Sequence, residues 1–297
     1  MSARPESGVR AQSGVLAARG GLSLWTHHWS PDPAMLPGPR YSFALMHGIC
    51  EHAGRYERVA RALAARGCSV HAFDRRGHGR SEGVRRDAPS FEHLVDDVER
   101  FVRMVLRLEP ARSVVLLAHS FGALEAAALL ARRRELPLAA AVLSGAPLAP
   151  PPNLTGALKD LVRGIASVLP RARVPADVDL RSLSRDPEVL RRYRADPLVG
   201  HSLSARMATI LLDAIDRAWR FAPEIELPVL MLHGADDGIA PPMAARRFFE
   251  ALASEDRELR IYPGLRHEVL FEPEGVDVLR EIGAFLVRRA PPAVRVQ

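Results

Sequence analysis

The chain has 297 residues, 47% of them hydrophobic and 26% charged, which is the balance of an ordinary globular protein able to bury a core without disulfides or a structural metal. Its formal net charge is +6, but the arginines are scattered along helical patterns (Arg58, Arg61, Arg66; Arg132, Arg133, Arg134) and form no basic block, so no nucleic-acid partner is expected. Met1 to Gly21 lacks a signal-peptide core, no apolar run reaches the roughly 18 residues of a spanning helix, and Cys50 and Cys68 make neither a CxxC pair nor a framework, which favours a cytoplasmic compartment.

Residues 1–13 are small and polar and are expected to be disordered. Two strand-like pieces, Val15–Ala18 and Leu22–Trp29, flank Arg19-Gly20-Gly21, which suits a tight hairpin turn. Pro31, Pro33, Pro37 and Pro39 then mark a loop. Short apolar runs suited to buried strands follow at Tyr41–Met46, Cys68–Phe73, Ser113–Ala118 and Leu138–Ser144. Between them, apolar residues recur at helical spacing in Tyr56–Arg66 and Phe91–Leu108, the second with Ser90 as its N-cap. The alternation resumes with a strand at Val229–Leu232, a helix at Met243–Leu252, a strand at Glu258–Tyr262 and a helix at Val276–Val287.

Strands alternating with helices imply an α/β fold with a mostly parallel sheet covered on both faces. On this reading residues 14–148 and 214–290 form the core, and 149–213 form an inserted helical cap. The cap's apolar stripe (Leu154, Leu158, Leu161, Val162, Ile165, Val168, Leu169) has two readings. It either packs the cap onto the body or also lines an acyl pocket or touches a membrane surface.

The chemistry centres on Val114-Val-Leu-Leu-Ala-His119-Ser120-Phe121-Gly122-Ala123, an apolar strand entering a helix of small residues. A sharp strand-to-helix turn of this kind lifts a serine hydroxyl above the sheet, and the neighbours must be small because backbones crowd there. The usual motif is G-x-S-x-G; here Ala118 replaces the first glycine. A hydroxyl needs an adjacent base, and in this arrangement the acid and the histidine come later in the chain. The loop Gly234-Ala-Asp236-Asp237-Gly-Ile-Ala-Pro241 supplies the acid: Asp237 by its spacing from Gly234, with Asp236 as the alternative. His267, after the next helix and strand, is the base.

Two backbone N–H groups must face the developing oxyanion. The N–H of Phe121 follows the nucleophile, and that of Ile49 lies in the loop His47-Gly-Ile-Cys-Glu-His52. His47 and His52 are read as groups that brace this loop, and Asp74 to Gly83 as a structural turn. No His, Cys or Asp cluster has zinc spacing, so neither metal nor cofactor is expected.

With these segments in view, the chain resembles the monoacylglycerol lipase and lysophospholipase branch of the α/β hydrolases from about Gly21 to Val287. The resemblance rests on His47-Gly-Ile-Cys-Glu-His-Ala-Gly-Arg-Tyr56 (HGxGEHxGRY in the family), Phe73-Asp-Arg-Arg-Gly-His-Gly-Arg-Ser-Glu-Gly83, the serine turn, and Tyr193-Arg-Ala-Asp-Pro-Leu198. The chain departs from the family at Cys50, Ala118 and Ala123, all usually glycine. The resemblance implies an α/β-hydrolase fold and hydrolysis of a monoacylglycerol, lysophospholipid or related long-chain ester through an acyl-Ser120 intermediate; transient membrane-surface contact through the cap is the second reading of its apolar stripe. The same triad serves short-chain esterases, thioesterases, acyltransferases and small peptidases, among which the fold does not choose. A non-enzymatic binding module is opposed by the presence of all three triad candidates.

Overall fold

The computed structural model describes residues 8–32, 41–150, 154–176 and 178–289. The strands are β1 (Val9–Ala17), β2 (Ser23–Pro31), β3 (Tyr41–Met46), β4 (Ser69–Phe73), β5 (Ser113–His119), β6 (Leu138–Ser144), β7 (Arg173–Pro175), β8 (Ser202–Ser204), β9 (Val229–Gly234) and β10 (Arg257–Tyr262). The helices are α1 (Glu57–Ala64), α2 (Phe91–Leu108), α3 (Phe121–Arg132), α4 (Gly156–Val168), α5 (Pro187–Ala195), α6 (Ala205–Ala218), α7 (Pro242–Ala251) and α8 (Gly275–Val287). One sheet runs β1-β2-β4-β3-β5-β6-β9-β10, and the small pair β7-β8 stands apart. Pairing is parallel from β4 to β10, and antiparallel for β1 with β2 and for β2 with β4.

Every residue of β3, β4 and β9 is buried, the polar Ser42, Ser69, His71 and His233 included, as befits strands covered on both faces. One core cluster packs α2, α3 and α6 against Ala44, Met46, Leu116 and Ala118. The other packs α1 and α8 against Phe43, Leu45, Val115 and Leu117. Alternate residues of the same strands thus serve opposite layers. Ser90 caps α2 by accepting from the His93 N–H.

The expected disorder of residues 1–13 is corrected for its second half. Val9 to Ser13 lie in β1, which pairs along its whole length with β2 through the turn at Gly20 and Gly21 (φ 85° and 73°). This edge strand is nearly all exposed and is held by its backbone ladder, so its polar composition hides it. Residues 1–7 and the loop prolines Pro33, Pro37 and Pro39 lie outside the described residues, as do Pro151, Pro152 and residue 290.

Between β6 and β9 the chain carries α4, β7, α5, β8 and α6. The expected border at residue 213 falls inside α6, whose Met207, Ile210, Ala214, Ile215 and Ala218 belong to the main core, so the helix is continuous across it. The apolar stripe around α4 follows its packing reading only in part: Leu154, Val162 and Ile165 are half-buried, and α4 lies against α6. Leu158, Leu161, Val168 and Leu169 are 44%, 59%, 77% and 62% exposed, and no described residue of α4 is buried. Among the described residues, no helix is long and apolar enough to cross a membrane.

Candidate active site

Ser120 stands between β5 and α3 with φ 52° and ψ −124°, a conformation that costs a non-glycine residue on the order of 1–3 kcal/mol. The reason for the turn lies in its neighbours. A Cβ on Gly122 would sit 2.8 Å from the His47 carbonyl oxygen and 2.9 Å from that of Met46, so α3 starts in direct contact with the end of β3. The Ser120 N–H donates to the Ser144 carbonyl (2.8 Å), tying the turn to β6. Ala118 and Ala123 are buried in the core, which accommodates both methyl groups where glycines are usual.

The acid loop and the base loop are held together at close range. A Cβ on Gly234 would fall 2.2 Å from the Arg266 carbonyl oxygen, and the Asp236 N–H donates to the Leu265 carbonyl (2.9 Å). This brings Asp237 Oδ2 to 2.8 Å from His267 Nδ1. The same oxygen lies 3.1 Å from His233 Nε2, and Oδ1 accepts from the N–H groups of Ile239 and Ala240, each at 2.8 Å. Asp237 is buried, and although burial alone would raise its pKa, His267 and His233 hold the carboxyl well below the usual carboxylate range. Asp236 is exposed and makes no contact with His267, so of the two aspartates Asp237 is the histidine's partner.

His267 is also buried, and burial pulls its pKa down. The Asp237 charge and hydrogen bond, with Glu268 and Glu51, outweigh this and leave the pKa above 6.5. Donation from Nδ1 to Asp237 leaves Nε2 as the free acceptor of the ring. Ser120 and His267 line one cavity of about 50 Å³ together with Gly48, Ile49, Glu51, Arg55, His119, Val178, Leu183, Tyr193, Ile239 and Glu268. The Ile49 N–H meets no acceptor among the described residues, and the Phe121 N–H, at the first position of α3, has none within its helix.

The loop carrying Ile49 rests on a buried ionic scaffold. Glu51 Oε1 accepts from the Gly48 N–H and the Tyr56 hydroxyl, while Arg55 pairs with Glu51 and, through both nitrogens, with Glu268 (2.7 and 2.8 Å). Beneath it, Arg75 is fully buried, forms a two-pronged pair with Glu125 (2.7 Å each) and donates to the carbonyls of His47 and Gly48. His47 accepts the Arg75 N–H on Nε2 and, with burial and Arg75 pushing its pKa down, stays neutral. His47 therefore braces the loop, and Asp74-Arg75 is structural.

His52 reaches Asp196 at 2.8 Å, Arg55 stacks over the Tyr193 ring at 4.7 Å, and the Gly200 N–H donates to the Cys50 carbonyl (2.7 Å). The motif around His47 to Tyr56 and the motif around Tyr193 to Leu198 are thus two sides of one contact. Glu51, Arg55, Glu268 and His233 were not singled out from the sequence as site residues. The first two lie inside the quoted His47–Tyr56 motif, which was the available signal; the others have none.

Cys50 has φ 63°, so the usual glycine marks a backbone requirement. Burial pushes its thiol up to about 12, leaving it un-ionised. We expect Cys50→Gly to retain turnover, because it keeps the loop conformation. Cys50→Val, which puts a β-branched residue at positive φ, should displace Ile49 and lower kcat by about 10²-fold. Steady-state assay of both variants checks this.

A parallel sheet with a strained serine between strand and helix, followed in chain order by an acid and a histidine, defines the α/β-hydrolase class. Comparison with known proteins agrees: a family model described as "Serine aminopeptidase, S33" matches residues 37–274. The monoacylglycerol lipase of Mycolicibacterium smegmatis is 35% identical over 277 residues, covering 91% of this chain and 95% of that protein. The human monoglyceride lipase is 31% identical over 276 residues, covering 92% and 89%. The crystal structure of Paleococcus ferrophilus monoacylglycerol lipase superposes with a TM-score of 0.79 at 29% identity, over 90% of this chain and 99% of that one. The chain belongs to this serine hydrolase family, in its monoacylglycerol lipase branch, and is an ester hydrolase.

Proposed function

We propose that Ser120, His267 and Asp237 are the catalytic triad, that the Ile49 and Phe121 N–H groups form the oxyanion hole, and that the substrate is a monoacylglycerol, a lysophospholipid or a related long-chain ester. The observation that carries the chemistry is the 2.8 Å bond from Asp237 to His267, which lines one cavity with Ser120. His267 Nε2 takes the Ser120 proton as the hydroxyl attacks the carbonyl carbon. The resulting oxyanion lies against the two N–H donors, and the imidazolium returns its proton to the departing alcohol. Water, activated by the same nitrogen, then cleaves the acyl-Ser120 ester and frees the acid.

The cavity is small for a long-chain ester. Substrate therefore enters when the segment bearing Val178, Leu183 and Tyr193, within the proposed cap at 149–213, moves off the body. The exposed apolar face of α4 supports a transient seat of that cap on a lipid surface. A peptidase reading finds less support: Glu51 and Glu268, the carboxylates that line the cavity, are both paired with Arg55 and are not free for a peptide ammonium.

A chain-length series of p-nitrophenyl esters and monoacylglycerols tests the substrate. We expect kcat/KM to rise from acetyl toward medium and long acyl chains, and aminoacyl anilides to be poor substrates. A sharp preference for acetate would overturn the lipid assignment and leave the triad untouched.

A further inference from the structure

Away from Ser120, the β2–β4 pair brings two histidines and a glutamate together. His28 and His71 are directly opposite in the antiparallel register, with ring centroids 4.1 Å apart. Glu109 caps the C-terminus of α2 and presents Oε1 to both: 2.9 Å from His71 Nε2 and 3.9 Å from His28 Nε2. The three donor atoms all lie within 4.8 Å of one another. His28 Nε2 is buried and has no hydrogen-bond partner, which is costly for a polar nitrogen unless something else engages it. Arg112 holds the other oxygen of the carboxylate (3.4 Å), orienting Oε1 toward the histidines. The carbonyl end of α2 adds a field that favours a cation.

We propose that His28, His71 and Glu109 bind a zinc-class divalent cation through two imidazole nitrogens and one carboxylate oxygen, with water completing the shell. Two imidazoles and a carboxylate are a ligand set that suits Zn²⁺, and Co²⁺ and Ni²⁺ after it. The rings are stacked nearly parallel (8°), so binding requires the half-buried His28 to tilt until both lone pairs converge. His71 and Glu109 are 38 residues apart, and the three come from β2, β4 and the end of α2, so no local spacing announces the site. Glu109 precedes β5 whereas Ser120 follows it, and none of the three residues lines the cavity beside Ser120, so the ion is placed away from the nucleophile. Its role is to pin the N-terminal hairpin to the body, not to take part in ester cleavage.

The test is titration of the metal-free full-length protein with Co²⁺, followed by its visible absorption, and with Zn²⁺ against a chromophoric chelator. One equivalent should bind the wild type and raise the Tm. His28→Gln and Glu109→Gln should each weaken binding at least ~10-fold, since a lost ligand costs no less than a lost outer-shell partner. Fluorophosphonate labelling of each variant reports that it is folded. In the wild type, Zn²⁺ should move the imidazole ¹⁵N resonances of His28 and His71 together. Absence of saturable binding, equal binding by both variants, or movement confined to other histidines overturns the site.

Discussion

Ser120→Ala should lower ester turnover by on the order of 10⁶, and His267→Ala by about the same amount, with the double variant scarcely worse than either. The near-identity of the single losses is the informative part. A hydroxyl without its base is as inert as a base without its hydroxyl, so their effects cannot add. Ser120 also sits at positive φ, where alanine meets the same backbone cost, so the loss should appear in kcat without loss of fold. Residual rate over the uncatalysed reaction would report what the Ile49 and Phe121 N–H donors contribute alone. Steady-state and single-turnover kinetics on one ester, with Tm measured alongside, check each part.

Asp237→Asn should cost about 10⁴ in kcat while Asp236→Asn leaves it unchanged. The hydrogen bonds give the reason. Asp237 Oδ1 accepts from the Ile239 and Ala240 N–H groups, so an asparagine places its carbonyl there and turns its amide NH₂ toward His267 and His233. His267 Nδ1 must then accept, its proton moves to Nε2, and the nitrogen that should take the Ser120 proton is already occupied. A pH profile separates this from simple damage. The proposed base works only when neutral, and Asp237 raises its pKa, so activity should fall as pH drops through a value higher than an ordinary histidine's. Without the carboxylate, burial dominates and the acid limb of the residual activity should move to lower pH.

The buried strands were legible because they are short, apolar and bounded by turn residues; Tyr41–Met46 and Leu138–Ser144 coincide with β3 and β6. Ser120 and His267 could be proposed from the sequence because the α/β-hydrolase order puts a nucleophile and a base after particular strands, and the structure places both on one cavity. Asp237 could be preferred to Asp236 only by loop spacing; the distinction becomes physical when one carboxylate is buried against His267 and the other is exposed. The first half of β1 was illegible because backbone pairing holds an exposed polar edge, which leaves no hydrophobic period. The α4 stripe was legible as amphipathic, but a sequence does not say whether an apolar face meets protein or solvent. The ionic scaffold of Glu51, Arg55 and Glu268 joins residues 213 positions apart, beyond any local pattern. Cys50 shows the reverse case: an apparent departure from a glycine proves to adopt the conformation that the glycine marks.

The central claim is that Ser120 is the activated nucleophile, and an intact-mass and peptide-mapping experiment with a fluorophosphonate tests it most directly. A single adduct should form on the peptide carrying Ser120, form far more slowly in His267→Ala, and be absent from Ser120→Ala. An adduct that survives Ser120→Ala, or that maps to another residue, would contradict the account.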